Sequence, residues 1–247
     1  LNCTAGFAAF RVEVEPMLLS VPLMLRRRSE LFECVRKHLA AAPSISLKPI
    51  LEVTAALAAD LRQEFYPEFP PLLRTLAALL APSDTELLED AFSTLCYLFK
   101  YLLRQLLADL PAAFDAYRPL LAHDKPHVRE FAAESFSYLL RRLPATKLPQ
   151  ALQTAILPHI GAHGHALDSG IAQLLFHATA GIGHAFHSRG PLLLKALLPL
   201  LHPNYKAGTA AEEAEAGPSS SEQPPFAALV RRQMEDGIWN GIAKWGF

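Results

Sequence analysis

Four long, helix-period apolar stretches recur along this chain at nearly constant spacing, and that recurrence limits its fold more than any other feature. They open at Ser46, Asp84, Pro126 and Asp168, the last three 42 residues apart and the first 38 before the second. In the second, Leu88, Phe92, Leu95, Phe99, Leu102, Leu103 and Leu106 form the stripe. In the third, Val128, Phe131, Ala132, Ser135, Phe136, Leu139 and Leu143 repeat every three or four residues, the spacing of one helix face. Each is followed by a turn and a shorter apolar partner. Helix pairs repeating every 40–47 residues or so bury their faces only by stacking on their neighbours.

Composition agrees. The 247 residues include 44 Leu and 39 Ala against 15 Val and Ile together, which favours helix and leaves too few β-branched residues for buried strands. A hydrophobic content of 51% is enough for a sizeable core and argues against disorder. The expected fold class is all-α: an α-solenoid of HEAT- or armadillo-like helix pairs.

Caps and prolines place the elements. Ser29 opens a helix striped by Leu31, Phe32, Val35 and Leu39, closing before Pro43; Ser46 opens the next, to about Arg62. A third follows Pro67 and Pro70-Pro71 to about Leu80, and Ser83 or Asp84 caps a long helix to about Ala108. Further helices are expected from Pro111 to about Leu121, from Pro126 to about Leu143, and at 147–160, 166–186 and 190–201. Residues 207–225 carry no large apolar side chain and several glutamates, which reads as an acidic, flexible insertion. A helical stripe then resumes through Leu229, Val230, Met234, Ile238 and Ile242. The expected organisation is therefore helical repeats over 1–202, an acidic insertion over 203–225 and a continuing repeat over 226–247. The uncapped ending at Trp245-Gly246-Phe247 reads as a piece of a longer protein.

Charge excludes the simplest nucleic-acid binder, because 23 Lys and Arg balance 24 Asp and Glu. Cys3, Cys34 and Cys96 are odd in number and contain no CxxC pair, so neither a disulfide scaffold nor a zinc motif is expected. No basic-then-apolar leader and no membrane-length apolar run is visible.

Chemistry-bearing patterns are few. His159, His163, His165, His177, His184 and His187 cluster in sequence, but without the one-turn ligand pairs and flanking cysteines of a zinc site; they read as hydrophilic surface. Gly161, Gly164, Gly170, Gly181 and Gly183 follow neither the GxGxxG nor the GK[ST] order and read as turn and packing glycines. No nucleophile elbow, HExxH or distinctive carboxylate pair occurs, so no catalytic, cofactor-binding or metal residue is expected and the chain reads as non-enzymatic.

Three basic clusters remain: Arg26-Arg27-Arg28, Arg141-Arg142 and Arg231-Arg232. Cations at helix C-termini complement the macrodipole, while arginine also pairs with phosphate in a bidentate way. These seven arginines are the candidate RNA or partner contacts. The aromatic run Phe92, Tyr97, Phe99 and Tyr101 reads as core, not as a base-stacking platform.

The segment from Arg118-Pro119-Leu120-Leu121 through Pro126-His127-Val128-Arg129 to Ala132-Ala133 resembles a HEAT repeat. Leu47 to Glu52, Asp60 to Pro67, Ala91 to Leu102, Lys125 to Arg142 and Gly170 to Phe176 together resemble the DRIM family, the very large HEAT-repeat component of the small-subunit processome. The likeness runs from about 45 to 190. It implies a non-enzymatic nucleolar scaffold for pre-ribosomal RNA processing and small-subunit biogenesis. Its partners would be other processome proteins, with pre-ribosomal or small nucleolar RNA, and neither a membrane nor a small-molecule substrate. A nuclear transport or trafficking adaptor built on the same array is the alternative.

Overall fold

The computed structural model describes residues 4–41, 43–80, 85–144, 146–161 and 164–180. Among these residues the elements are α-helices and short 3-10 turns, with no strand. They divide into two compact units, the boundary lying between Asp109 and Leu110.

The first unit opens with α1 (Ala5–Val14), whose N-terminus is capped by Thr4: Oγ1 accepts from the Phe7 N–H at 3.4 Å. Such a cap satisfies one of the otherwise unpaired first-turn donors. Ser20 does the same for α2 (Val21–Arg26). Then come α3 (Arg28–Ala41), α4 (Ser44–Leu61), α5 (Phe69–Leu79), α6 (Thr85–Tyr101) and α7 (Leu103–Ala108). α1 packs on α4 and α4 on α6, forming one layer; α3 packs on α5 in the other. Phe32 of α3 meets Phe65 edge-on at 4.8 Å, both fully buried. Phe65 is carried by a 3-10 turn, Arg62–Glu68, entered through Arg62 at φ 48°. A non-glycine residue in that region marks a sharp change of direction, here between α4 and α5.

Helices α1 and α2 precede the helix placed at Ser29 and lie within the helical span expected over 1–202. Two expectations need correction in this unit. Ser46 does not open α4: extended Pro43 does, and Ser46 is buried within the first turns, donating through Oγ to Thr4 Oγ1 at 2.8 Å. The hydroxyl thus joins α4 to the cap of α1. The long helix to Ala108 is broken at Leu102, whose ψ is 9°. The bonds from Leu102 to Leu98 and from Leu106 to Leu102 persist at 2.8 and 3.0 Å, and both leucines are fully buried. Core packing overrides the propensity for one straight helix. The residues read as its cap, 83 and 84, lie outside the described residues.

The second unit contains α8 (Leu110–Leu121), α9 (Pro126–Arg142), α10 (Leu148–Ala155) and α11 (His165–Ala180). α8 packs on α9 and α10, and α9 and α11 lie side by side. Pro126 fills the first position of α9, where its missing N–H costs nothing. Arg129 then turns back to donate to the His123 and Asp124 carbonyls at 2.7 and 2.9 Å, holding the turn over buried Val128. Ala132 and Ala133 are fully buried, whereas Phe131, placed on the apolar stripe above, is 39% exposed. Asp168 is not the start of α11 but lies in its first turn, where Oδ1 accepts from the Gly161 N–H at 2.9 Å. Gly161 and Gly164 adopt φ of 76° and 89°, conformations natural to glycine.

The long helices begin at Ser44, Thr85, Pro126 and His165, so the near-constant period survives the shifts of individual ends. The expected helix at 190–201, the acidic insertion and the helical stripe after 226 lie outside the described residues. Close approach of α8 and α9 over Ala132 yields a test. Ala132→Leu should destabilise the second unit by about 1–3 kcal/mol through overpacking; an unchanged denaturant midpoint would remove Ala132 from that contact.

Candidate interaction surface

Of the seven candidate arginines, the first unit holds three. Arg26 ends α2 and is exposed, with no ion pair among the described residues. Arg27 is engaged by Glu30 through both Nε and Nη2. Arg28 donates to the Glu64 carbonyl at 3.1 Å and lies 3.4 and 3.6 Å from the Glu64 and Glu68 carboxylates. Arg36 reaches the same Glu68 at 3.0 Å, so Arg28 belongs to a network bridging α3 and the turn before α5. In the second unit Arg141 is half-buried and donates to the His177 carbonyl on α11 at 3.5 Å. Arg142 is exposed, its guanidinium 4.9 Å from the Tyr138 ring centre. Arg231 and Arg232 lie outside the described residues. The tandem reading thus separates: within each described cluster an exposed arginine neighbours one that holds the fold.

The aromatic run also separates. Phe92 and Phe99 are buried, as expected of core, but Tyr97 is 48% exposed. It stacks on Tyr101, centroids 6.3 Å apart and planes 16° from parallel, with Lys100 Nζ 5.7 Å from the Tyr101 ring. The pair borders a groove of about 400 Å³ between α4 and α6, together with Lys48, Glu52, Ala55 and Asp90. Lys48 bridges to Asp90 at 3.2 Å across it, and that contact raises the lysine pKa. One-turn spacing of Tyr97 and Tyr101 on the face opposite Phe92 and Phe99 was the available signal.

The histidines do not gather into a metal centre among the described residues. His159 sits against Phe114, near Asp115 and Arg118; His165 begins α11; His177 is half-buried near its end. His163, His184 and His187 lie outside the described residues. Instead, a cluster missed in the sequence joins Glu13 of α1 to Cys34 and His38 of α3. The Cys34 thiol donates to Glu13 Oε2 at 3.4 Å, and Lys37 donates to both Glu13 oxygens at 3.0 Å. Lys37 first, then Cys34 and His38, bring the Glu13 pKa down to about 2. Burial first, then Glu13, pushes the Cys34 thiol up to about 11, so it is held protonated at neutral pH. Its one-turn separation from His38 was visible in sequence; the partner 21 residues earlier was not.

These shifts set a pH dependence. Burial lowers the pKa of His123 and His177 below 6.5, so the unfolded chain takes up their protons first. Their stabilising contribution is complete above that value and is lost as pH falls through the folded-state values. Glu13 contributes above its ordinary 4.5 and loses its contribution as pH falls towards about 2. Acidification should therefore lower the urea midpoint in two stages, the first beginning near neutrality. A midpoint that stays flat between about pH 7 and 5 would contradict the histidine stage.

Among the described residues no helix is long and apolar enough to cross a membrane. No protein-family model matches the chain. An engineered protein of known crystal structure aligns with 98% of this chain and 94% of its own at 16% identity, with a TM-score of 0.39. Two curated relatives are similar over 80% of the chain. U3 small nucleolar RNA-associated protein 20 of Saccharomyces cerevisiae is 26% identical over 203 residues. The Schizosaccharomyces pombe protein of the same name is 26% identical over 200. In both cases the chain spans only 8% of the relative's length, so it is similar to one segment of two much larger U3 small nucleolar RNA-associated proteins.

Proposed function

We propose that this chain is a segment of a HEAT-repeat α-solenoid of the DRIM type. It acts as a non-enzymatic scaffold in the small-subunit processome and supports pre-ribosomal RNA processing and small-subunit biogenesis in the nucleolus. The observation that carries the reading is the similarity over 80% of the chain to the two U3 small nucleolar RNA-associated proteins. The recurrence of long helices at Ser44, Thr85, Pro126 and His165 supports it, because stacked helix pairs offer extended surfaces without a catalytic pocket. Function on this reading is geometric: rigid pairs hold partner-binding side chains at fixed separations. Arg26 and Arg142 are the exposed members of the described clusters and the candidates for phosphate or partner contact there.

Affinity capture of the endogenous protein carrying this sequence, with its RNA identified, tests the proposal. U3 small nucleolar RNA and processome proteins should co-purify. Recovery of transport receptors without that RNA would overturn the scaffold reading in favour of the adaptor. Arg26→Ala and Arg142→Ala should leave folding intact and weaken RNA recovery if those side chains meet phosphate. Unchanged recovery in the double variant would place the contacts elsewhere.

A further inference from the structure

Cys34 and His38 lie four residues apart on α3, and so on one face of it. Glu13 of α1 comes to that face from the adjacent helix. One potential ligand atom from each residue lies within 4.8 Å of the other two. Cys34 Sγ is 3.4 Å from Glu13 Oε2, and His38 Nε2 is 3.1 Å from Glu13 Oε1. A tetrahedral zinc ion with bonds of about 2.0–2.3 Å separates its ligands by roughly 3.3–3.8 Å, so the two contacts to the Glu13 carboxylate already match it, and the cluster, within 4.8 Å throughout, closes on an ion by a shift of about 1 Å or less.

The surroundings also suit a metal. Cys34 is 7% exposed and Phe10 1% exposed, and the Phe10 ring packs edge-on against His38 at 5.5 Å, fixing the imidazole. His38 Nε2 is buried and near the carboxylate, yet makes no aligned hydrogen bond. Glu13, on the more open side, is 43% exposed, leaving room for water as a fourth ligand. Thiolate, imidazole and carboxylate together suit zinc and not calcium or magnesium, which prefer oxygen.

We propose that Glu13, Cys34 and His38 bind one zinc-class divalent cation, clamping α1 to α3. Binding breaks the Cys34 S–H bond, forms a sulfur–metal bond and releases the proton to solvent. The thiolate and the carboxylate then balance the two charges of the ion, with His38 neutral. The Lys37 ammonium, now redundant, leaves Glu13; its side chain is 62% exposed and free to swing outward. Lys37 is therefore a competitor of the metal, a role that a purely structural ion pair would not have.

The test uses the 247-residue chain with Cys3→Ser and Cys96→Ser, so that Cys34 is its one thiol, kept reduced and titrated with Co²⁺ alone. A thiolate-to-cobalt charge-transfer band should appear, together with the strong visible bands of a four-coordinate site, and added Zn²⁺ should abolish both. Lys37→Ala should tighten cobalt binding by removing the competing cation. Glu13→Gln, at a half-exposed position that should leave the fold intact, should weaken it about tenfold or more, a range typical for lost site interactions. Absence of the charge-transfer band at saturating Co²⁺ would overturn the site. So would a cobalt affinity that neither Lys37→Ala nor Glu13→Gln changes.

Discussion

Phe136→Ala should destabilise the second unit by about 3–5 kcal/mol. The ring is fully buried on α9 and meets two aromatic side chains of α8. Phe114 lies 5.6 Å away with planes at 76°, and Tyr117 lies 5.0 Å away at 38°. Such pairs contribute about 0.5–1.5 kcal/mol beyond area burial, so the substitution removes both the transferred apolar surface and the geometry that locks α8 to α9. Tyr117 cannot collapse into the cavity without cost, because its buried hydroxyl donates to the Ala132 carbonyl at 3.1 Å and would be left unpaired if it moved. Denaturant unfolding measures the total, and hydrogen exchange locates it: protection should fall across 110–180. Tyr97→Ala is the comparison; half-exposed on α6, it should cost much less. A loss below about 1 kcal/mol in Phe136→Ala would mean that the α8–α9 pair does not depend on this cluster.

The repeating helices were legible because each carries its own apolar stripe, and Ser44, Thr85, Pro126 and His165 start within a few residues of the expected openings. The start of α4 was misplaced because a serine before an apolar run satisfies two physical roles equally well, cap or buried hydroxyl link. Only the neighbouring Thr4 decides between them. The break at Leu102 has no glycine or proline to announce it; it follows from packing on leucines spread along the chain. Candidate contacts were less legible than the fold for the same reason. Arg27 and Arg28 look alike in sequence beside Arg26, and their difference lies in Glu30, Glu64 and Glu68. Glu64 and Glu68 arrive only when the turn after α4 folds back on α3.

Gly170→Ala should also destabilise the second unit, against the helix propensity of the two residues. Alanine in a helix interior is favoured over glycine by about 1 kcal/mol, so an exposed site would gain stability. Gly170 lies in α11, facing the end of α8. An added Cβ would stand 2.1 Å from the Leu121 carbonyl oxygen and 2.9 Å from its carbon. The obstacle is backbone, which cannot rotate aside as a side chain can, and Leu121 is itself fully buried. Relief requires α11 to move away from α8, which loosens Leu167, Ile171 and Leu174, all fully buried on the same helix. Overpacking of this kind costs about 1–3 kcal/mol and occasionally more; a backbone obstacle belongs at the upper end, leaving a net loss of about 2 kcal/mol after the propensity gain. Gly164→Ala separates the two possible causes. Its added Cβ would meet nothing within 4 Å, but its φ is +89°, so only conformational strain of about 1–2 kcal/mol opposes it. If Gly170→Ala proves as stable as the parent, α11 does not approach Leu121 so closely. The glycine would then have no packing role in α11.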